Sequence, residues 1–144
     1  AEVYDADSDS SPVRLVNVST LSNAGTDDNT LSAGFFVRGT VPKLLLIRAV
    51  GPGLAAFNVE GRLADPQLSV FPLGAVAPIV SNNDWGGTPA LKAAFSAVGA
   101  FALSDTSKDA AVLVTLPPGG YSVTVTGVGR TTGIALVEVY DLDP

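Results

Sequence analysis

The chain has 144 residues, 47% hydrophobic and only 15% charged, with a net charge of −6. Its length suits one domain with a substantial core, its apolar content excludes disorder, and its acidity argues against nucleic acid or an anionic membrane as partner. It contains no Cys, His or Met, which removes disulfides, thiolate chemistry, imidazole bases and the commonest transition-metal ligand.

In chain order, residues 1–7 (Ala1-Glu2-Val3-Tyr4-Asp5-Ala6-Asp7) read as a short strand, and residues 8–12 as a polar, acidic linker closed by Pro12. The domain proper is expected over 13–144. Strands are predicted at Val13–Thr20, Leu31–Arg38, Lys43–Val50, Gln67–Phe71, Ala77–Ser81, Ala110–Leu116, Tyr121–Gly127 and Ile134–Tyr140, each bounded by Gly, Pro or Asn/Asp turns. The stretch Lys43–Val50 is the longest apolar run; it reads as a strand buried on both faces and is far too short to span a bilayer. In Tyr121–Thr126 the alternation puts Tyr121, Val123 and Val125 inward and Ser122, Thr124 and Thr126 outward.

One segment is helical in character. Thr88 suits an N-cap, Pro89 the first helical position and Gly99 the C-terminal turn, with Leu91, Phe95 and Val98 on one face. The expected fold is therefore all-β: a β-sandwich, jelly-roll-like or Ig-like, with one short helix near 89–98 lying on the sandwich or closing an end. A barrel is the alternative.

Candidate sites are few. Asp5, Asp7 and Asp9 resemble the opening of a calcium loop, but Ser10 stands where glycine is needed and Val16 where the bidentate Glu is needed. A solvated acidic linker is the better reading, and no cofactor is expected. Asn82, Asn83, Asp84 and Trp85 form a possible glycan platform around the only Trp. A Trp anchored in the core, its indole N–H satisfied locally, is the preferred reading. Arg48, closing an apolar strand, calls for a buried carboxylate such as Asp65 or Asp109, and Gly51-Pro52-Gly53 reads as a tight exit from that strand. Asn17-Val18-Ser19 fits a glycosylation sequon inside a predicted strand. No Ser lies in a nucleophile elbow and no carboxylate pair suggests acid/base work, so no enzyme is predicted.

The most informative feature lies at the two ends. Glu2-Val3-Tyr4-Asp5-Ala6-Asp7 recurs as Glu138-Val139-Tyr140-Asp141-Leu142-Asp143, identical at five of six positions. One copy can be offered to a neighbour. Ala1 to Asp7 would add to the sheet of an adjacent subunit near Glu138, Val139 and Tyr140, with Val3 and Tyr4 on opposite faces setting register. Such a contact is heterologous and propagates as a homopolymer. The chain opens on Ala1-Glu2 without an initiator Met, and loss of a signal peptide is the expected route, placing the protein outside the cell or on its surface.

Arg14–Thr20, Leu46–Pro52, Leu63–Leu68, Asn83–Gly86, Val98–Leu103 and Ala135–Asp141 occur in this order. This set resembles a bacterial extracellular β-module that recurs, often in tandem, in large secreted or surface proteins. The resemblance covers nearly the whole chain and implies no activity. In tandem versions the closing strand of one module runs through a short acidic linker into the first strand of the next, so it implies that residues 1–7 look like the end of a preceding module. Two functions follow as expectations. The first is a structural subunit of an extracellular filament built by strand donation. The alternative is an adhesion or carbohydrate-binding module excised from a larger surface protein, with the terminal repeat a relic of tandem duplication.

Overall fold

In a computed structural model, which describes residues 15–143, the chain forms two four-stranded antiparallel sheets packed face to face. The strands are β1 (Asn17–Ala24), β2 (Leu31–Val37), β3 (Lys43–Val50), β4 (Pro66–Pro72), β5 (Val80–Asn82), β6 (Ala110–Leu116), β7 (Gly119–Gly127) and β8 (Gly133–Asp141). The first sheet runs β1-β8-β3-β6 and the second β2-β7-β4-β5. Apart from the β4–β5 hairpin, every connection crosses between sheets. This is the eight-stranded double Greek key of a jelly roll. Of the two sandwich types expected from sequence, the jelly roll is the one adopted.

Period-2 alternation builds the space between the sheets. Tyr121, Val123 and Val125 of β7 lie beside Leu68 and Val70 of β4 and, across the sandwich, face Leu45, Ile47, Ala49, Val112, Val137 and Val139. The first sheet is buried on its other face too. Helix α1 (Pro89–Ala97) with the loops on either side of it in the β5–β6 connection, and the 3-10 turn Pro52–Phe57 after β3, lay Leu54, Trp85, Leu91, Phe95 and Leu103 over Leu46, Val50 and Ala111. Burial on both faces explains the apolar run of β3, broken only by Arg48 inside the strand, because Leu45, Ile47 and Ala49 serve one layer and Leu46 and Val50 the other.

The local signals act as their chemistry requires. The Thr88 hydroxyl accepts from the Leu91 amide at 3.4 Å, Pro89 opens the helix, and Gly99 takes φ +69° just beyond its end. Two strands shift from their expected limits. β1 runs Asn17–Ala24 rather than Val13–Thr20, its register set by pairing to β8 from Asn17↔Tyr140 to Ala24↔Gly133. β5 shrinks to Val80–Asn82 rather than Ala77–Ser81, because Pro78 has no N–H to give a ladder.

Strand register also fixes which ends meet. In the first sheet Lys43 pairs Leu116, Leu45 pairs Asp141 and the Asp141 amide donates to the Val16 carbonyl. In the second, Val37 pairs Gly119 and Pro72 pairs Tyr121. The connections 38–42 and 117–118 link these ends, so one pole of the sandwich holds the chain's entry into β1 and its exit from β8.

Candidate functional site

The strongest electrostatic feature is a buried network on the outer face of the first sheet. Arg48 of β3 is 0% exposed and lies beside Glu138 of β8 by direct pairing. Its Nε and Nη2 donate to Glu138 Oε2 at 2.7 and 2.5 Å, and its Nη1 donates to the Phe101 carbonyl at 2.7 Å. The guanidinium lies 4.7 Å from the Phe95 ring centroid and 4.4 Å from that of Phe101, so two aromatic faces replace the water it has lost. Glu138 Oε1 accepts from the Tyr140 hydroxyl at 2.7 Å. Burial, then the bond to Glu138, pushes Tyr140 up to about 12.

Neither expected partner of Arg48 is the actual one. Asp109 is buried but accepts instead from the Gly51 amide at 2.7 Å and the Gly53 amide at 3.0 Å, holding the exit from β3. A Cβ on Gly51 would sit 2.1 Å from the Leu63 carbonyl oxygen, so only glycine fits there. Asp65 pairs on the surface with Lys108 at 2.5 Å, which raises the lysine pKa. Glu138 was legible in another way: it is the one charged residue inside the apolar strand β8, as Arg48 is the one inside the interior of β3.

Trp85 is 2% exposed, packs against Phe95 with ring centroids 5.2 Å apart and tilted by 32°, and donates its indole N–H to the Ser104 carbonyl at 3.0 Å. It therefore offers no face to a sugar, and the glycan platform of Asn82, Asn83, Asp84 and Trp85 is corrected to a structural turn. In that turn the Asn82 amide donates to the Asp84 carbonyl at 2.9 Å, and its oxygen accepts from the Ala111 amide at 3.1 Å. Residues Ala1 to Asp7 of the expected interface, and the calcium candidates Asp5, Asp7 and Asp9, lie outside the described residues. Among the described residues no group of three acidic side chains could hold a metal ion. A shallow depression lined by Pro52, Gly61, Arg62, Leu63 and Ala64 has its guanidinium already bonded to the Val59 carbonyl.

The C-terminal copy of the repeat is fully engaged. β8 lies inside the first sheet, hydrogen-bonded to β1 on one side and β3 on the other. Glu138 holds Arg48, and Val139 packs between Val18 and Ile47 in the core layer. Tyr140 bonds Glu138, Asp141 pairs with Lys43 at 3.4 Å, and Asp143 Oδ2 accepts from the Leu44 amide at 2.7 Å. At the pole where β8 ends, Phe36 is 67% exposed, Leu73 81% and Val76 99%. Sequence reading had not singled these out, although Phe71–Val80 is an apolar run too broken by Gly74 and Pro78 to be one strand.

These elements define a class: a jelly-roll sandwich with a helical layer over one sheet. No family model matches the chain and no curated protein matches it. A solved structure with a similar fold is the pre-peptidase C-terminal domain of a collagenase from Bacillus anthracis, with a TM-score of 0.51 and 11% identity, covering 86% of this chain and 89% of that one. At that identity the likeness is one of fold. No helix is long and apolar enough to cross a membrane among the described residues.

Proposed function

We propose that this chain is a non-catalytic β-module of a larger extracellular protein, of the kind that occurs in series and positions or presents its neighbours. The observation that carries the reading is the occupied place of β8. Glu138 through Asp143 sit between β1 and β3 with each polar side chain matched. A donated Glu2-Val3-Tyr4-Asp5-Ala6-Asp7 would bring the same side chains, less one leucine, on six residues against the nine of β8. To take the place of β8 it would have to displace a strand held by its own chain at an effective concentration on the order of millimolar or above, whereas addition at the β1 edge requires no exchange. The internal strand wins that competition. Residues 2–7 are then the end of the equivalent strand in a preceding copy, as the tandem resemblance implies.

Two further points support a module. The similar solved structure is itself one domain of a collagenase, and the buried charges here are spent on holding strands together. Extracellular placement rests on composition and on the resemblance.

Strand donation into a filament is the second reading. It is favoured by one observation: β1, Asn-Val-Ser-Thr-Leu-Ser-Asn-Ala, borders the first sheet without a charge or proline to protect its edge. Removing residues 1–7 and comparing the two proteins by sedimentation and negative-stain microscopy separates the readings. The module reading expects no change in assembly; filaments that vanish on the deletion would overturn it.

A further inference from the structure

The exposed apolar side chains are unevenly distributed. Phe36, Val41, Leu44, Leu73, Val76 and Ile79 belong to the ends of β2, β3 and β4 and to the β4–β5 loop, all at the pole where the chain enters β1 and leaves β8. Leu15 and Val16, both more than half exposed, lie on the entering segment itself. Phe36 and Leu73 sit side by side over Gly120: a Cβ there would lie 3.2 Å from Leu73 Cδ2 and 3.7 Å from Phe36 Cδ2. The opposite pole shows less of this: Val128 is 36% exposed at the turn after β7, and Phe57 55% in the 3-10 turn after β3.

Charge at the apolar pole is largely internal. Lys43 pairs with Asp141, and Asp143 accepts the Leu44 amide. A surface of this kind, largely apolar beside the exposed Arg38, is costly to leave in water.

Chain connectivity says what reaches it. If residues 2–7 end the last strand of a preceding copy, Asp7 corresponds to Asp143, and only residues 8–14 separate that copy's exit from Leu15. Seven residues span at most ~25 Å. Both the exit of one copy and the entry of the next are at this same pole, so successive copies are joined pole to pole and not end to end. We propose that the pole bearing Phe36, Leu73 and Val76 is a docking surface for the same pole of a second copy of this module. The proposal rests on the module reading above.

A contact of this type needs little intrinsic affinity, because a linker this short supplies an effective concentration on the order of millimolar. In the untethered chain it appears as weak self-association. The test follows amide shifts and sedimentation of the full 144-residue chain up to about 1 mM, beside Leu73→Asp/Val76→Asp, Val128→Asp and a chain lacking residues 1–7. The altered side chains are exposed, and an unchanged Trp85 fluorescence spectrum verifies each fold.

The expected result is concentration-dependent shifts centred on residues 36–44 and 73–79, lost in the double variant and kept in Val128→Asp and in the deletion. A chain that stays monomeric to the highest concentration overturns the docking surface while leaving the module reading in place. Association lost on deleting 1–7 but kept in Leu73→Asp/Val76→Asp overturns both and restores strand donation.

Discussion

Arg48 and Glu138 make a pair whose worth depends on completeness. Each is buried, and each of their polar atoms faces a partner: Phe101 O for one, the Tyr140 hydroxyl for the other. Removing one member leaves the other charged and dry, so Glu138→Ala should lower the unfolding free energy by about 3–5 kcal/mol in urea titration. A loss below about 1 kcal/mol would mean that the guanidinium finds another acceptor. Tyr140 adds a pH signature. Its hydroxyl ionises near 10 in the unfolded chain but only at about 12 in the fold. Between these values the unfolded state has already lost a proton that the native state keeps, so stability is complete below pH 10 and falls through the window up to about 12. Tyr140→Phe should flatten that part of the alkaline denaturation profile relative to the wild type.

At the same scale, the sequence made visible that Arg48 needed a carboxylate but not which one. Asp109 is buried and was a fair candidate, yet its oxygens are taken by the Gly51 and Gly53 amides. The choice depends on β3 and β8 being neighbours in the sheet, which is a long-range pairing that no local pattern carries. Trp85 was different. A lone Trp beside Asn-Asn-Asp pointed to a core anchor, which it is, although its acceptor, Ser104 O, lies beyond the helix and is not local.

Among the elements, local chemistry was most legible where both faces or both ends were marked. β3, β6, β7 and α1 carry burial on two faces, strict alternation or a capped start, and their limits differ little from expectation. β1 was harder to place because seven of its eight residues are exposed or half-buried, so hydrophobicity gives its limits little weight. Helix α1 is more than a decoration on the sheet. Phe95 touches both Trp85 and the Arg48 guanidinium. Phe95→Ala should cost about 3–5 kcal/mol and shift Trp85 emission to the red as water reaches the layer. An unmoved emission maximum would show that the helix does not seal this face.

For the whole molecule, the jelly-roll order places β8 in the interior of a sheet and brings the entry into β1 and the exit from β8 to one pole. The terminal repeat was plain in the sequence; the fact that its second copy is already engaged on both edges was not, since that depends on which strands flank it. On the proposed module reading, the first copy is the trace of a preceding module and not a strand in search of a sheet. The apolar pole went unread for a related reason: Phe36 and Leu73 meet over Gly120 only because β2 and β4 flank β7.

The central claim is that β8 keeps its place with residues 1–7 present. Hydrogen exchange of the β8 amides tests it most directly, comparing the intact chain with one lacking residues 1–7 at the same high concentration. The account predicts the same strong protection from Leu136 through Tyr140 in both proteins. Protection of that stretch that changes when residues 1–7 are removed would contradict it.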